Sequence, residues 1–192
     1  VAAKRMRAVV VAAGNEANAR RHYLGNLAPL QEYEDVEISV GDNIGGFTAE
    51  LLTNSPEVVS VAVQSPTGES QPLIPARQGS SEEYRFLLEG TKVSISYSLG
   101  EFTRERELIF LRFTNPSKGI WRLRVYPENY VTSRYHIWLP VTEFVQGDIF
   151  FLRSNPETTI TGPASAYAPI SVGGFNASDD TLYLDSGRGY NI

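Results

Sequence analysis

Between about Glu34 and Arg153 the chain repeatedly alternates apolar with polar residues. Val36, Ile38 and Val40 alternate with Glu37 and Ser39, and Val93, Ile95, Tyr97 and Leu99 alternate with Ser94, Ser96 and Ser98. Ile109, Leu111 and Phe113 follow the same period, as do Trp121, Leu123 and Val125 around Arg122 and Arg124. In an extended chain a period of two sends successive side chains to opposite faces, so each segment buries one face and wets the other. Between the segments lie Gly41-Asp42-Asn43, Ser65-Pro66-Thr67-Gly68, Glu89-Gly90-Thr91 and Asn115-Pro116-Ser117-Lys118-Gly119, where Gly, Pro and Asn supply turn conformations. Roughly eight short strands at this spacing predict a two-sheet β-sandwich, jelly-roll-like in topology.

Both flanks break the alternation. Residues 1–24 pass from an Ala- and Lys/Arg-containing opening, read as helical, into the apolar run 8–13 and then a Gly14-Asn15 break. Such a run predicts a strand buried on both faces, as in a parallel sheet. Beyond Asn155, Pro156, Pro163 and Pro169 oppose a helix, while Ile170-Ser171-Val172-Gly173-Gly174 predicts a short buried strand whose glycines admit another backbone. The pattern divides the chain into a core segment 1–30, a sandwich 31–153 and a second core segment 154–192.

Composition narrows the class. At 192 residues the chain buries about two-thirds of its unfolded surface on folding. A content of 16 Gly, 11 Pro, 10 Tyr and 9 Phe favours strands and turns, so the fold is expected to be mainly β. The net charge of -5 argues against nucleic-acid or anionic-membrane partners, and no apolar run reaches the ~18 residues of a membrane span. With no cysteine there is no disulfide, thiolate nucleophile or Cys-ligated metal. The opening residues lack the regions of a signal peptide, and the chain starts and stops abruptly, as a fragment of a longer protein would.

Taken alone, a strand followed by Gly14-Asn15 is a turn, because both residues tolerate positive φ. A functional reading comes from resemblance. "VVVAAGNE" (residues 9–16) resembles the block in which subtilisin-like serine proteases, the subtilases, deliver an asparagine to the active site. "TITGPASAYAPISVGGFN" and "DSGRG" resemble the stretch before that family's nucleophile, and "AAGNEANARRHYLG", "GIWRLRVYP" and "YHIWLP" look like the clostridial germination-type group. In that group a β-domain interrupts the catalytic domain. The resemblance implies a jelly-roll-like sandwich inserted between two segments of an α/β catalytic domain. It also implies that Asn15 donates its side-chain N–H to the oxyanion, while Ala13, Gly14 and Glu16 line the pocket for the substrate residue before the scissile bond. The implied partners are a peptide or protein substrate and the remainder of the catalytic domain. An extracytoplasmic or spore-associated setting is also implied, with no cofactor; a calcium ion in the parent protein has no support in this sequence.

The family's triad runs Asp, His, Ser along the chain. None of those blocks is present: His22 and His136 lie outside the His-Gly-Thr setting of the base, and no Gly-Thr-Ser-x-Ala follows Gly189. The triad is therefore expected outside this chain, and the segment alone is expected to be inactive. His136 reads as a structural histidine on a strand. His22 follows the active-site strand, which leaves a rim role open, and its neighbours Arg20 and Arg21 would lower its pKa if close. A solvated acid after a turn is the plain reading of Glu16, and a hairpin turn that of Asp179, Asp180 and Asp185. Two rival functions stand beside the protease. A pseudoprotease would keep the scaffold to bind a partner, and an autonomous ligand- or carbohydrate-binding sandwich would expose Trp121 and Trp138, both expected to be buried. For the sandwich within a protease, a stabilising or autoinhibitory-rim role is expected.

Overall fold

The computed structural model describes residues 8–54, 56–99, 106–128, 132–145 and 147–189. In chain order its strands are β1 (Val10–Ala12), β2 (His22–Leu27), β3 (Glu34–Val40), β4 (Gly46–Asn54), β5 (Val59–Gln64), β6 (Ser81–Arg85) and β7 (Lys92–Leu99). There follow β8 (Arg106–Thr114), β9 (Gly119–Pro127), β10 (Ser133–Trp138), β11 (Ile149–Phe151), β12 (Ile170–Val172), β13 (Phe175–Asn176) and β14 (Thr181–Leu182). Among the described residues a 3-10 turn, Thr142–Phe144, lies between β10 and β11. The predicted helical opening falls on residues 1–7, outside the described residues.

Two antiparallel sheets make the sandwich. One has the order β2-β10-β4-β8-β7-β6 and the other β11-β3-β9-β5, with segment 70–74 bridged to the outer side of β5 at Val61↔Ile74 and Gln64↔Ser70. The alternating residues build the core between them: Val36, Ile38, Val93, Ile95, Ile109, Leu111, Trp121 and Val125 are fully buried. Trp121 meets the rings of Phe86 and Phe113 edge-on at 5.1 and 5.6 Å, and its indole N–H donates to Ser117 O at 2.9 Å. Each such edge-on pair adds about 0.5–1.5 kcal/mol beyond area burial. Arg122 and Arg124 point outward from β9 and pair across the strand with Glu37 and Asp35 of β3, at 3.3 and 2.8 Å. That face is solvated, as its alternation predicts.

The flanking segments meet each other. β1 runs parallel to β12 in the register Val10↔Ile170, Val11↔Ser171 and Ala12↔Val172, and the whole sandwich lies between these strands in sequence. The parallel pairing agrees with the expectation for the run 8–13; its burial does not. Val10 is 60% exposed, Ile170 57% and Val172 50%, because no described residue covers the pair. Past β12, Gly174 N donates to Ser186 Oγ at 2.9 Å and Tyr183 N donates to Gly174 O at 3.2 Å, which is the close backbone approach predicted at these glycines. Asp179 Oδ1 accepts from Thr181 N at 3.2 Å and Thr181 Oγ1 at 2.8 Å, fixing the turn of the β13–β14 hairpin.

Candidate functional site at the end of the first strand

Residues 13–17 end β1 and are gripped by backbone from both distant segments. Ala13 N donates to Val172 O at 2.9 Å, and Ala13 O accepts from Thr161 N at 3.1 Å. Gly14 O accepts from Gly187 N at 2.9 Å, and Ala17 N donates to Asp185 O at 3.2 Å. Gly14 has φ +92°, and a Cβ there would overlap Thr161 Oγ1, so both the conformation and the space require glycine. With the main chain fixed on either side, Asn15 projects into solvent. Its side chain bonds to no described residue, which leaves a neutral amide with free donors on a rigid strand end.

Glu16 turns the other way. It is 5% exposed, and its carboxylate accepts from Thr142 N at 3.3 Å and Thr142 Oγ1 at 3.2 Å, on the 3-10 turn. It is thus no solvated acid after a turn, and it braces the strand end against the sandwich. The buried Arg21 lies in the same charge cluster: burial lowers its pKa, opposed by Glu16 and Asp148, and its guanidinium donates to Ile149 O. Ala13 is buried, and Gly14 is half-buried beside Asn15.

Beneath this site the sandwich presents three stacked rings. His22 and His136 face one another with Nε2 and Nδ1 2.9 Å apart, and Trp138 stacks on both at 5.0 and 5.3 Å between ring centroids. His22 Nδ1 lies 3.2 Å from Asn155 O. A carbonyl only accepts, so His22 carries its proton on Nδ1 and takes the Nδ1–H of His136 at its Nε2. Trp138 Nε1 donates to Thr158 O at 3.0 Å, and Asn155 N donates to His22 O at 2.8 Å. Segment 155–161 is therefore anchored on the sandwich at one end and on Ala13 at the other.

The rings correct one expectation. His22 is fully buried, so it forms no part of a rim, and its pKa is lowered by burial rather than by its neighbours in sequence. Arg20 and Arg21 both turn to the β11 region, Arg20 donating to Leu152 O at 3.0 Å and lying over the Phe150 ring at 4.1 Å. His136 is the expected hydrogen-bonded structural histidine, and it is buried rather than on the surface. Trp121 is fully buried and Trp138 half-buried, so neither forms an exposed ligand platform.

Burial, together with His22, Arg134 and Arg106, pushes the His136 pKa down to about 4. Above pH 6.5 the imidazole is neutral in both folded and unfolded chains and the stability is complete. As the pH falls from 6.5 through about 4, the unfolded chain takes up a proton that the fold excludes, so stability is lost in that window. At about 1.4 kcal/mol per pKa unit the loss is about 3 kcal/mol. His136→Asn, whose amide replaces the Nδ1–H donor, is expected to flatten this part of the dependence. Urea midpoints at pH 7.5 and 4.5 check it, and equal slopes for the two proteins would count against it.

Sequence reasoning named the strand end but missed Thr142, Thr161 and Gly187, which fix it. Thr142 gives no local signal, since its contact with Glu16 spans 126 residues. Thr161 and Gly187 do lie within the phrases that carried the family resemblance.

No protein-family model matches this chain, and no curated protein matches it. Among solved structures the chain is similar to a protease, and the likeness supports a subtilase-related fold. The structure of the Clostridium perfringens CspB protease matches with a TM-score of 0.81 and 30% sequence identity over 95% of this chain. The chain spans 38% of the length of that protease.

Proposed function

We propose that this chain is the central part of a subtilisin-like serine endopeptidase, with Asn15 as the side-chain donor of its oxyanion hole and the Asp-His-Ser triad contributed from outside these residues. In that reading an Asp-oriented histidine deprotonates the serine, and Asn15 with a backbone N–H stabilises the tetrahedral intermediate. Ala13 and Gly14 form the small-residue wall of the pocket before the scissile bond, and Glu16 sets that wall through its bond to Thr142. The carrying observation is Asn15 itself: an exposed amide that bonds to no described residue, on a strand end held by main-chain bonds from residues 161, 172, 185 and 187. The exposed apolar strands β1 and β12 support packing against the remainder of a catalytic domain, since a parallel pair is normally covered on both faces.

We place the segment boundaries at 30/31 and 153/154, with β2 crossing from the first segment to pair along β10. The interleaved strand order, β2-β10-β4-β8 facing β3-β9-β5 and segment 70–74, supports a jelly-roll-like sandwich. Its role is to stabilise the strand end and rim the cleft. The test is reaction of the full-length protein with an active-site fluorophosphonate probe, alongside cleavage of fluorogenic peptides. Labelling of one serine with peptide turnover supports the protease. A folded protein that neither labels nor cleaves is instead a pseudoprotease that binds a partner.

A further inference from the structure

The 3-10 turn gripped by Glu16 carries more than Thr142. Two residues further on, Phe144 is 82% exposed, and at the ~2 Å rise per residue of such a turn it stands about 4 Å along from that contact. Phe144 and Pro140 line a groove of about 410 Å³ together with residues 45–48 at the start of β4 and 112–114 at the end of β8. Three features give the groove a chemical character. Phe144 offers an apolar ring that the described residues leave uncovered. Arg112 projects from the outer side of β8 between Thr48 of β4 and Ser94 of β7, with its guanidinium 5.9 Å from the Phe110 ring, and forms an ion pair with no described carboxylate. Gly45 borders open space, where a Cβ would meet nothing within 4 Å, so another backbone can lie close.

We propose that this groove is an exosite for an extended acidic segment of a protein substrate, with a large apolar side chain packed on Phe144 and a carboxylate paired to Arg112. The inference rests on the protease reading and extends it away from the reacting bond. Charge decides the occupant: the cation lining the groove has no carboxylate partner among the described residues, and a guanidinium matches a carboxylate in a two-point hydrogen-bonded pair. Position supports it as well, because the turn bearing Phe144 is bonded to Glu16, the residue next to Asn15.

The test measures binding, not catalysis. A fluorescein-labelled peptide of about ten residues, rich in aspartate and glutamate around one phenylalanine, is titrated with the full-length protein by fluorescence anisotropy. A matched peptide with lysine in place of the acids is the control. Arg112→Glu is expected to weaken the acidic peptide by about tenfold or more and to strengthen the basic one, as loss and reversal of a charge-assisted contact require. Gly45→Leu, which fills open space without a clash, is expected to weaken it about tenfold, and Phe144→Ala about fivefold. All three positions border solvent, so unchanged melting temperatures identify these as binding effects. The proposal is overturned if the wild type does not bind the acidic peptide, if both peptides bind equally, or if Arg112→Glu leaves affinity unchanged. It is also overturned if the variants convert a dimer to a monomer in sedimentation without altering peptide affinity, which makes the groove a self-association face. A protein that shows the expected pattern yet is not labelled by fluorophosphonate keeps the groove and loses the protease.

Discussion

Gly25→Ala is expected to destabilise the fold by about 1–3 kcal/mol. Gly25 on β2 lies directly opposite Tyr135 on β10, and the tyrosine ring occupies the space over it; a Cβ on Gly25 would overlap the ring carbons. The ring has nowhere to go. Tyr135 is fully buried, and its hydroxyl donates to Glu34 Oε2 at 2.6 Å, while Tyr23 donates to Oε1 of the same carboxylate, also at 2.6 Å. Relief therefore means parting β2 from β10, which costs about 1–3 kcal/mol as overpacking, or withdrawing the hydroxyl from Glu34, which leaves buried polar groups unpaired at about 1–3 kcal/mol. Denaturation of the double-mutant cycle with Tyr135→Ala isolates the cause. Once the ring is gone, Gly25→Ala should cost under about 1 kcal/mol. A small cost of Gly25→Ala in the wild-type background would show that the ring is not held as described.

Under the proposed protease function, Asn15→Ala is expected to lower kcat of the full-length protein by about 10²–10³, with KM changed by no more than about threefold. An oxyanion donor acts on charge that develops in the transition state, so its loss falls on kcat and leaves substrate binding nearly intact. The same substitution should leave thermal stability unchanged, because the Asn15 side chain is exposed and bonds to no described residue. Stability and rate therefore separate cleanly at this position. By contrast, Glu16→Ala removes a buried brace and should lower both. A fall in kcat below about tenfold for Asn15→Ala would remove it from the oxyanion hole.

What was legible in the sequence was the part where one physical rule acts alone. Val36-Ile38-Val40 and Trp121-Leu123-Val125 alternate because each strand has one dry face, and the core followed from that rule residue by residue. β6 escaped it: Ser81-Glu82-Glu83-Tyr84-Arg85 is a strand by pairing with β7, and its mostly exposed side chains carry no alternation to read. β2 escaped it for the opposite reason. Its outer face is covered at His22 by segment 155–158, and its glycine makes room for Tyr135, so polar and small residues stand at buried positions. At the candidate site the break after the apolar run, where Gly14 takes the positive φ that such a break allows, was legible. The roles of Glu16, Thr142 and His22 were not, because each is fixed by a partner more than a hundred residues away.

The pairing of β1 with β12 bears on the order of folding. Val10 and Ile170 are 160 residues apart, and closing so long a loop in an unfolded chain is entropically costly for a pair only three residues long. Once the sandwich has formed, β2 and the anchored segment 155–158 already hold the two flanks together, and little closure entropy remains to be lost. On loop-closure grounds the strand end that carries Asn15 is expected to assemble after the sandwich, on a scaffold already formed.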